Sequence, residues 1–308
     1  MRDNQHTLKK KYIFSGKGLH TGKSVRMTLE PAPAGFGIKF KRVDLGDEAV
    51  IDASVDYVTT TSRGTTLEKG DVKISTLEHL MASLYGLKVD NALICIDSQE
   101  VPILDGSALP YVSEITRDGL AEQDAERIYF TPASKICYRD EHSGSELVVM
   151  PDDDFSIDLM IDFNSRVLGN QYARLTPSTE FASEIAPCRT FVFFHELEPL
   201  FKNNLIKGGD LDNAIVIVEH PVAQQELDRL ATLFNAQSLE RAPEGYLNHL
   251  ELRFSNECAR HKLLDIMGDF SLIGMPLKAK VIGYKTGHKI NTSVARMIRE
   301  AIRKSNNN

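Results

Sequence analysis

The feature that most constrains the fold of this chain is an order of predicted elements that occurs twice. In the first half, alternating runs such as KYIFSG, SVRMTLEPA and GIKFKRVD predict strands, and STLEHLMASLYGL, NALICID and ALPYVSEITRDGL then predict a helix, a strand and a helix. In the second half, RIYF, KICYR, SELVVMP and FSIDLMIDF predict strands, followed by the helix CARHKLLDIMGDFSLIG, the strand LKAKVIGY and the helix INTSVARMIREAIRK. The halves share this order but no residue-level repeat. We therefore predict two α/β domains, residues 1–124 and 125–308, with the polar AEQDAER at residues 121–127 as the linker.

Two histidines occupy equivalent positions in this order. His79 lies in the first helix of the first half, and His261 lies in the first helix of the second half. If the two halves pack face to face, these side chains converge at the interface. His261, Asp265 and Asp269 follow one another at four-residue intervals, so they share one face of their helix. A helical His–Asp pair at this spacing is more often an ordinary ion pair than a pair of metal ligands, so the spacing alone leaves both interpretations open.

Glu78, next to His79, also has two interpretations. The stretch from Ser75 to Glu78 fits a capping box, in which the glutamate satisfies a backbone N–H at the start of the helix. The residues alone favour this cap. The functional alternative is that His79 binds a metal while Glu78 handles a proton of water beside it. Both interpretations predict the same helix start, so the helix start cannot decide between them.

Two loops carry further polar groups. KTGH at residues 285–288 places a lysine and a histidine in a glycine turn between a strand and a helix, and PCRTF at residues 187–191 places Thr190 beside an aromatic run. Taken singly, the first is better explained as a polar turn and the second as strand packing. Taken together, two histidines and a carboxylate, with an adjacent glutamate and a further histidine, match the residue inventory of a zinc hydrolase.

Composition and charge narrow the class of protein. A net charge of −7 argues against general nucleic-acid binding, which favours a basic face. The four cysteines, Cys95, Cys137, Cys188 and Cys258, are scattered without metal-binding spacing and predict free thiols in a reducing compartment. No apolar run approaches transmembrane length, and the start MRDNQHTLKKKYIF is too polar for a signal peptide. The expectation is a cytoplasmic protein with no integral membrane segment and no nucleic-acid partner.

A set of ordered motifs resembles one known family. GLHTGK, TSRGTTL, STLEHLMASLYGLKVDN, PILDGSALPYV, CRTF, GGDLDNAIV, RHKLLDIMGD and GYKTGH occur in the order found in the UDP-3-O-acyl-N-acetylglucosamine deacetylases. These are zinc enzymes of the committed step of lipid A synthesis in Gram-negative bacteria, and the resemblance extends from about residue 8 to residue 303. It implies an α+β fold of two domains of similar topology, each a β-sheet with two helices, packed as a sandwich with the helices inside. It also implies a small-molecule substrate, UDP-3-O-(3-hydroxyacyl)-N-acetylglucosamine.

The resemblance implies roles for individual residues of this chain. The implied ligands of one catalytic zinc ion are His79, His261 and Asp265. The implied catalytic residues are Glu78 as general base, His288 as the other catalytic histidine, Thr190 at the oxyanion, Asp269 supporting His288, and Lys262. The implied substrate-binding residues are Lys262 and Lys285 at the polar head, Phe163 at the nucleotide end, and Phe191, Phe193, Leu200 and Leu205 along an acyl-chain passage.

Two departures from the family pattern and two rival interpretations stay open at this point. Residues 219–249 look longer than the family's usual connection and are expected to form an insert with one amphipathic helix. The Asn-rich end of the chain is consistent with the deacetylase part of a fusion to a hydroxyacyl carrier protein dehydratase.

The rival functions are a non-haem iron oxygenase, which also uses two histidines and one carboxylate, and a protein with a structural metal. The first has no use for Glu78, and the second normally needs a closed, cysteine-rich site.

Overall fold

The computed structural model describes residues 3–233, 238–240, 245–248 and 250–306. The described strands of the first half are β1 Asn4–Leu8, β2 Tyr12–Lys17, β3 Ser24–Pro31, β4 Ile38–Arg42, β5 Val50–Asp52, β6 Val58–Thr60, β7 Thr66–Lys69, β8 Val72–Ser75, β9 Ala92–Ile96 and β10 Leu120–Glu126. The helices of this half are α1 Glu78–Gly86 and α2 Leu109–Asp118, with a short 3-10 helix at Val55–Tyr57.

The second half repeats the alternation of strands and helices. Its described strands are β11 Ile136–Asp140, β12 Ser145–Pro151, β13 Ser156–Ile161, β14 Gln171–Leu175, β15 Phe191–Phe193, β16 Ile215–Ile217 and β17 Ala279–Tyr284. Its described helices are α3 Phe181–Glu184, α4 Phe194–Lys202, α5 Gln224–Leu233, α6 Glu257–Ser271 and α7 His288–Asn306. Among the helices in the described ranges, none combines the length and the apolar character that crossing a bilayer requires.

The two halves have the same sheet topology. One five-stranded sheet has the order β2-β3-β9-β4-β5, and the other has the order β11-β12-β17-β13-β14. In both, the strand between the two long helices lies in the middle. β9 is antiparallel to β3 and parallel to β4, and β17 is antiparallel to β12 and parallel to β13. The predicted two-fold repeat of element order is therefore confirmed, and it extends to strand pairing.

Helices α1 and α6 lie between the sheets and are buried on nearly every side. Seven consecutive residues of α1, from Glu78 to Leu84, are buried, and so are twelve of the fifteen residues of α6. The strands are buried on alternate residues only, as Val25, Met27 and Leu29 of β3 illustrate. One core cluster contains buried residues from both sheets and from α1, α6 and α7. The predicted sandwich with its helices inside is confirmed.

The two central helices cross at a glycine. A Cβ atom added to Gly268 of α6 would lie 2.2 Å from the backbone oxygen of Glu78 in α1, which is far closer than atoms approach. Only glycine permits this approach of the two backbones. The crossing sets the distance between the α1 residues Glu78 and His79 and the polar face of α6.

An insertion precedes the central helix in each half. In the first half it is the three-stranded sheet β6-β7-β8, and in the second it includes β15, α4, β16 and α5, with β15 and β16 parallel. The predicted helix of the segment 219–249 is confirmed as α5, and its Leu227 and Leu230 pack in a second, smaller core cluster with Leu200 of α4. Residues 234–237, 241–244 and 249 of that segment lie outside the described residues.

Two local predictions are wrong. The expected linker at residues 121–127 is largely strand β10, which pairs with β1 in an antiparallel ribbon. Its polar composition suggested a linker, but alternate residues face solvent in the ribbon, so polar side chains are tolerated there. RIYF at residues 127–130 is not a strand, and only Phe130 forms an isolated bridge, to Leu277. The division into residues 1–124 and 125–308 stays a prediction.

Candidate metal centre and catalytic site

Three side chains from the two central helices converge on one point. His79 extends from α1, and His261 and Asp265 lie one turn apart on α6, so the helical repeat brings the last two together. Their candidate ligand atoms all lie within 4.8 Å of one another, and the two imidazole rings are 4.9 Å apart. All three side chains are buried. In the described part of the chain, this is the one group of three or more His, Cys, Asp and Glu residues that could hold a metal ion.

The chemistry of these residues fits a divalent cation of the zinc type. His261 Nδ1 donates to the carbonyl oxygen of Cys188 at 3.0 Å, since a carbonyl can only accept, and this leaves Nε2 without a proton and free to ligate. Burial lowers the pKa of His261 and lowers that of His79 to about 3, so both rings are neutral. Oδ1 of Asp265 is buried and accepts no hydrogen bond from any described residue. A buried anionic oxygen without a partner is costly unless a cation compensates it.

Asp265 is nevertheless ionised. Burial opposes ionisation, but the ammonium group of Lys262 outweighs it and holds the pKa of the carboxyl below its usual range. Lys262 Nζ donates to the other oxygen, Oδ2, at 3.0 Å. The same ammonium lies over the Phe191 ring, 5.4 Å from its centroid. Lys262 therefore joins the ligand cluster to the aromatic wall of the site.

Glu78 faces this cluster and does not cap its helix. Leu77 occupies the N-cap of α1 and makes no side-chain capping bond, while the Ser75 hydroxyl donates to the carbonyl of Gln99. The favoured capping-box interpretation is therefore wrong, because tertiary contacts claim both side chains. The Glu78 carboxylate accepts from the backbone N–H of Thr65 at 3.1 Å and lies 3.8 Å from Nε2 of His288. Burial raises its pKa to about 7, although His288 opposes the shift.

His288 begins helix α7 and is held by Asp269. Its Nδ1 lies 2.9 Å from Oδ2 of Asp269, which is completely buried and also accepts from Asn291 Nδ2 at 2.9 Å. Burial lowers the pKa of His288, but the carboxylates of Asp269, Asp265 and Glu78 outweigh burial and raise it to about 9. His288 is therefore an imidazolium at neutral pH. A base with a raised pKa and a cationic acid thus lie 3.8 Å apart.

An apolar cavity opens beside the cluster. It encloses about 690 Å³ of empty space including its open mouth. Thr190, Phe191 and Leu200 lie in its wall, together with Leu19, Leu197, Ile206, Val216 and Leu247. The ring of Phe191 also lies 6.4 Å from the ring of His261, so the cavity begins next to the ligand cluster.

The remaining predicted substrate residues surround this cavity unevenly. Leu205 lines a neighbouring depression that shares Leu200. Phe193 is absent from the described cavity wall and instead packs on the exposed ring of Phe163, which also contacts Phe191 edge-on. Lys285 precedes His288 in its turn and pairs with Asp162 at 3.0 Å. The binding roles of these residues stay predictions.

The sequence of the chain matches the model of one protein family. The model described as "LpxC: UDP-3-O-acyl N-acetylglycosamine deacetylase" matches residues 5–234 and 224–300. The chain belongs to this family. The resemblance read from the motifs is therefore confirmed.

Relatives of two kinds are similar to the chain. A protein of Bacteroides thetaiotaomicron named "Bifunctional enzyme LpxC/FabZ" is 48% identical over 97% of this chain, and one of the same name from Porphyromonas gingivalis is 49% identical over 98%. The chain spans 65% of the length of each. The UDP-3-O-acyl-N-acetylglucosamine deacetylase of Teredinibacter turnerae is 38% identical over 95% of this chain and 89% of its own length.

Sequence reasoning missed several residues of the site in this LpxC-family chain. His20 was not singled out from the sequence, but it lies in the cavity wall with Arg63. Thr65 and Asn291 were not considered, although both donate to Asp269. His20 and Thr65 lie in GLHTGK and TSRGTTL, two of the motifs that carried the resemblance, so motif position was a signal. Asn291 had no such signal.

Proposed function

We propose that this chain hydrolyses the acetamide of UDP-3-O-(3-hydroxyacyl)-N-acetylglucosamine with one zinc ion, giving acetate and the free amine in the committed step of lipid A synthesis. The observation that carries the proposal is the meeting of a Glu78–His288 pair with a ligand cluster beside an apolar cavity. Such a site suits a substrate with a polar reacting centre and a long acyl chain. We also propose a cytoplasmic location.

The metal would be held by His79, His261 and Asp265, three protein ligands that leave a position open. When bound, it supplies Lewis-acid polarisation of the amide carbonyl and a lowered pKa of water. Glu78 takes a proton from the attacking water, for which a pKa of about 7 is well matched near neutral pH. Thr190 donates its hydroxyl hydrogen to the carbonyl oxygen, where negative charge develops.

His288 completes the reaction. Its imidazolium first opposes the negative charge on the former carbonyl oxygen. As the C–N bond breaks, the amine leaves with the bonding pair and takes a proton from His288. Asp269 keeps the ring oriented and charged through Nδ1. The proton accepted by Glu78 is then lost to solvent and His288 regains a proton from solvent, and the products are acetate and the 2-amino sugar nucleotide.

The rest of the substrate would be held by residues around the cluster. Lys262, at the edge of the site, would face the polar head, and Lys285 would do so once freed from Asp162. The acyl chain would lie in the apolar cavity along Phe191 and Leu200, with Phe193 and Leu205 at its borders. Phe163, whose ring is exposed, would stack on the nucleotide.

The rate of deacetylation should have a bell-shaped dependence on pH. Glu78 must be ionised, so kcat/KM rises as the pH passes its pKa of about 7, and His288 must be protonated, so the rate falls above its pKa of about 9. Asp269→Asn removes the carboxylate that most raises the pKa of His288, so the alkaline limb should move to lower pH. Initial rates from about pH 5 to about pH 10 test this. An unmoved alkaline limb in the variant would contradict the assignment of that limb to His288.

Product analysis tests the proposed substrate. Purified protein is incubated with the acylated sugar nucleotide, and the products are separated by mass spectrometry. The expected result is loss of the acetyl group from nitrogen with the 3-O-acyl chain retained. The same nucleotide without its acyl chain should react far more slowly, since it forgoes the contacts of the apolar cavity. Cleavage of the ester, or no reaction with the acylated compound, would overturn the proposal.

A second proposal concerns the whole polypeptide. The printed name of the two bifunctional relatives, and the 65% of their length that this chain spans, support a fusion in which this chain is the deacetylase portion. The partner domain would then be a hydroxyacyl carrier protein dehydratase. Immunodetection in the native organism should show a polypeptide about one and a half times as long as this chain. A single product of the size of this chain would contradict the fusion.

A further inference from the structure

We infer that Thr65 is a positioning residue that fixes the general base and the orientation of the acidic histidine at the same time. The inference rests on the proposed function, since it assigns Thr65 a part in that reaction. Thr65 lies in the first half, in the loop before β7, and reaches Asp269 on helix α6 of the second half. One residue thereby contacts both members of the acid–base system, Glu78 directly and His288 through its aspartate.

The side chain of Thr65 fixes one oxygen of Asp269. Its hydroxyl donates to Oδ1 at 2.5 Å, and both residues are completely buried. The other oxygen, Oδ2, accepts hydrogen bonds from Nδ1 of His288 and Nδ2 of Asn291, each at 2.9 Å. Since each oxygen has its own donors, the carboxylate has one orientation, and that orientation presents Oδ2 to His288. Without the hydroxyl, Oδ1 is a buried anionic oxygen with no donor, and the carboxylate can rotate to replace it.

The backbone of Thr65 holds the base. Its N–H donates to Oε2 of Glu78 at 3.1 Å, and its carbonyl accepts from the N–H of Thr76, just ahead of α1. A Cβ atom on the preceding Gly64 would lie 3.0 Å from Oε1 of Glu78, so the loop closely approaches both carboxylate oxygens. The Glu78 carboxylate is therefore bounded by the Gly64–Thr65 peptide on one side and by His288 on the other.

These contacts predict an effect on turnover and not on substrate binding. Thr65 is not among the described residues that line the apolar cavity, and its side chain is completely buried. Losing the hydroxyl leaves the cavity wall and the three candidate ligands in place. What changes is the orientation of the His288 ring when it protonates the leaving amine. Support of this kind for a site residue is typically worth about 10- to 100-fold in activity.

The test compares three variants of the zinc-loaded protein. Thr65→Val is isosteric and lacks the hydroxyl, Thr65→Ser restores it, and Thr66→Val makes the same change one residue along. Thr66 is the buried first residue of β7 and pairs with Ser75 of β8, so the same substitution there is the matched control. We expect Thr65→Val to lower kcat about 10- to 100-fold with KM within about two-fold, Thr65→Ser to recover most of the loss, and Thr66→Val to match the parent.

A double-mutant cycle separates this role from a general structural one. If Thr65 acts through Asp269, then Thr65→Val should have little further effect on kcat when Asp269→Asn is already present. Additive losses, or a Thr65→Val variant with the parent kcat, would overturn the inference. If Thr65→Val does not fold, Thr65→Cys replaces it, because a thiol is a weaker donor of similar shape and should give an intermediate kcat. An inactive parent protein would instead refute the proposed function, so the two failures are distinguishable.

Discussion

Replacing Glu78 with glutamine is expected to lower kcat by about 10²- to 10⁴-fold, which is the usual contribution of a positioned general base. The amide has almost the same shape as the carboxylate and can still accept from Thr65, so the site should keep its structure. It cannot take a proton from water. The three candidate ligands are untouched, so zinc content should stay at the level of the parent protein. The Glu78→Gln variant should therefore lose proton transfer while it keeps metal binding.

The measurement pairs steady-state kinetics with metal analysis of the same samples. Glu68→Gln is the control, because Glu68 lies on β7 in a surface pair with Lys73 and away from the ligand cluster. It should retain the parent rate. Near-normal turnover of Glu78→Gln would remove Glu78 from the role of base. Loss of zinc along with turnover would mean that residue 78 supports the metal site and not proton transfer alone.

Replacing Gly268 with alanine is expected to damage both the fold and the site. The new Cβ would lie 2.2 Å from the backbone oxygen of Glu78, and backbone cannot move aside as a flexible side chain can. Helices α1 and α6 must therefore separate, at a cost of about 3 kcal/mol or more in the free energy of unfolding. Separation also moves His79 away from His261 and Asp265, so zinc affinity should fall along with stability.

Denaturant unfolding and zinc titration of the same variant test this expectation. Gly287→Ala is the control, since a Cβ atom there meets open space. It should unfold with nearly the parent free energy. A Gly268→Ala variant of normal stability and normal zinc affinity would show that the helix crossing is not what positions the ligands. Normal stability with weakened zinc binding would still support the link between crossing and site.

The repeated fold and the ligand cluster could be predicted because their signals are local or tied to helical geometry. Periods of apolar residues identified α1, α6 and the central strands, and the four-residue spacing of His261 and Asp265 placed both on one face. Equivalent positions of His79 and His261 in the two halves then implied that they meet. The structure brings their rings within 4.9 Å.

Other features depend on contacts between distant segments, and no local pattern encodes those. Ser75 and Glu78 satisfy the capping-box pattern, yet they do not pair with each other's backbone. Ser75 donates to Gln99, and Glu78 lies against Thr65 and His288. The pairing of β10 with β1 joins segments more than a hundred residues apart and overrides a polar composition.

The role inferred for Thr65 escaped sequence reasoning for the same physical reason. Its hydrogen bond to Asp269 joins residues 204 positions apart in the chain. Threonine in such a loop is unremarkable by composition, spacing or charge. Only the packing of one half on the other shows that its hydroxyl and its N–H reach both parts of the acid–base system.

The central claim is that acetate release depends on one zinc ion held by His79, His261 and Asp265, and metal titration tests it most directly. Protein stripped by a chelator is given increasing zinc, and acetate release from the acylated sugar nucleotide is followed. We expect no release from the stripped protein, a linear rise with added zinc, and a plateau at about one equivalent. Full activity in the stripped protein, or a tightly bound equivalent of zinc without acetate release, would contradict it.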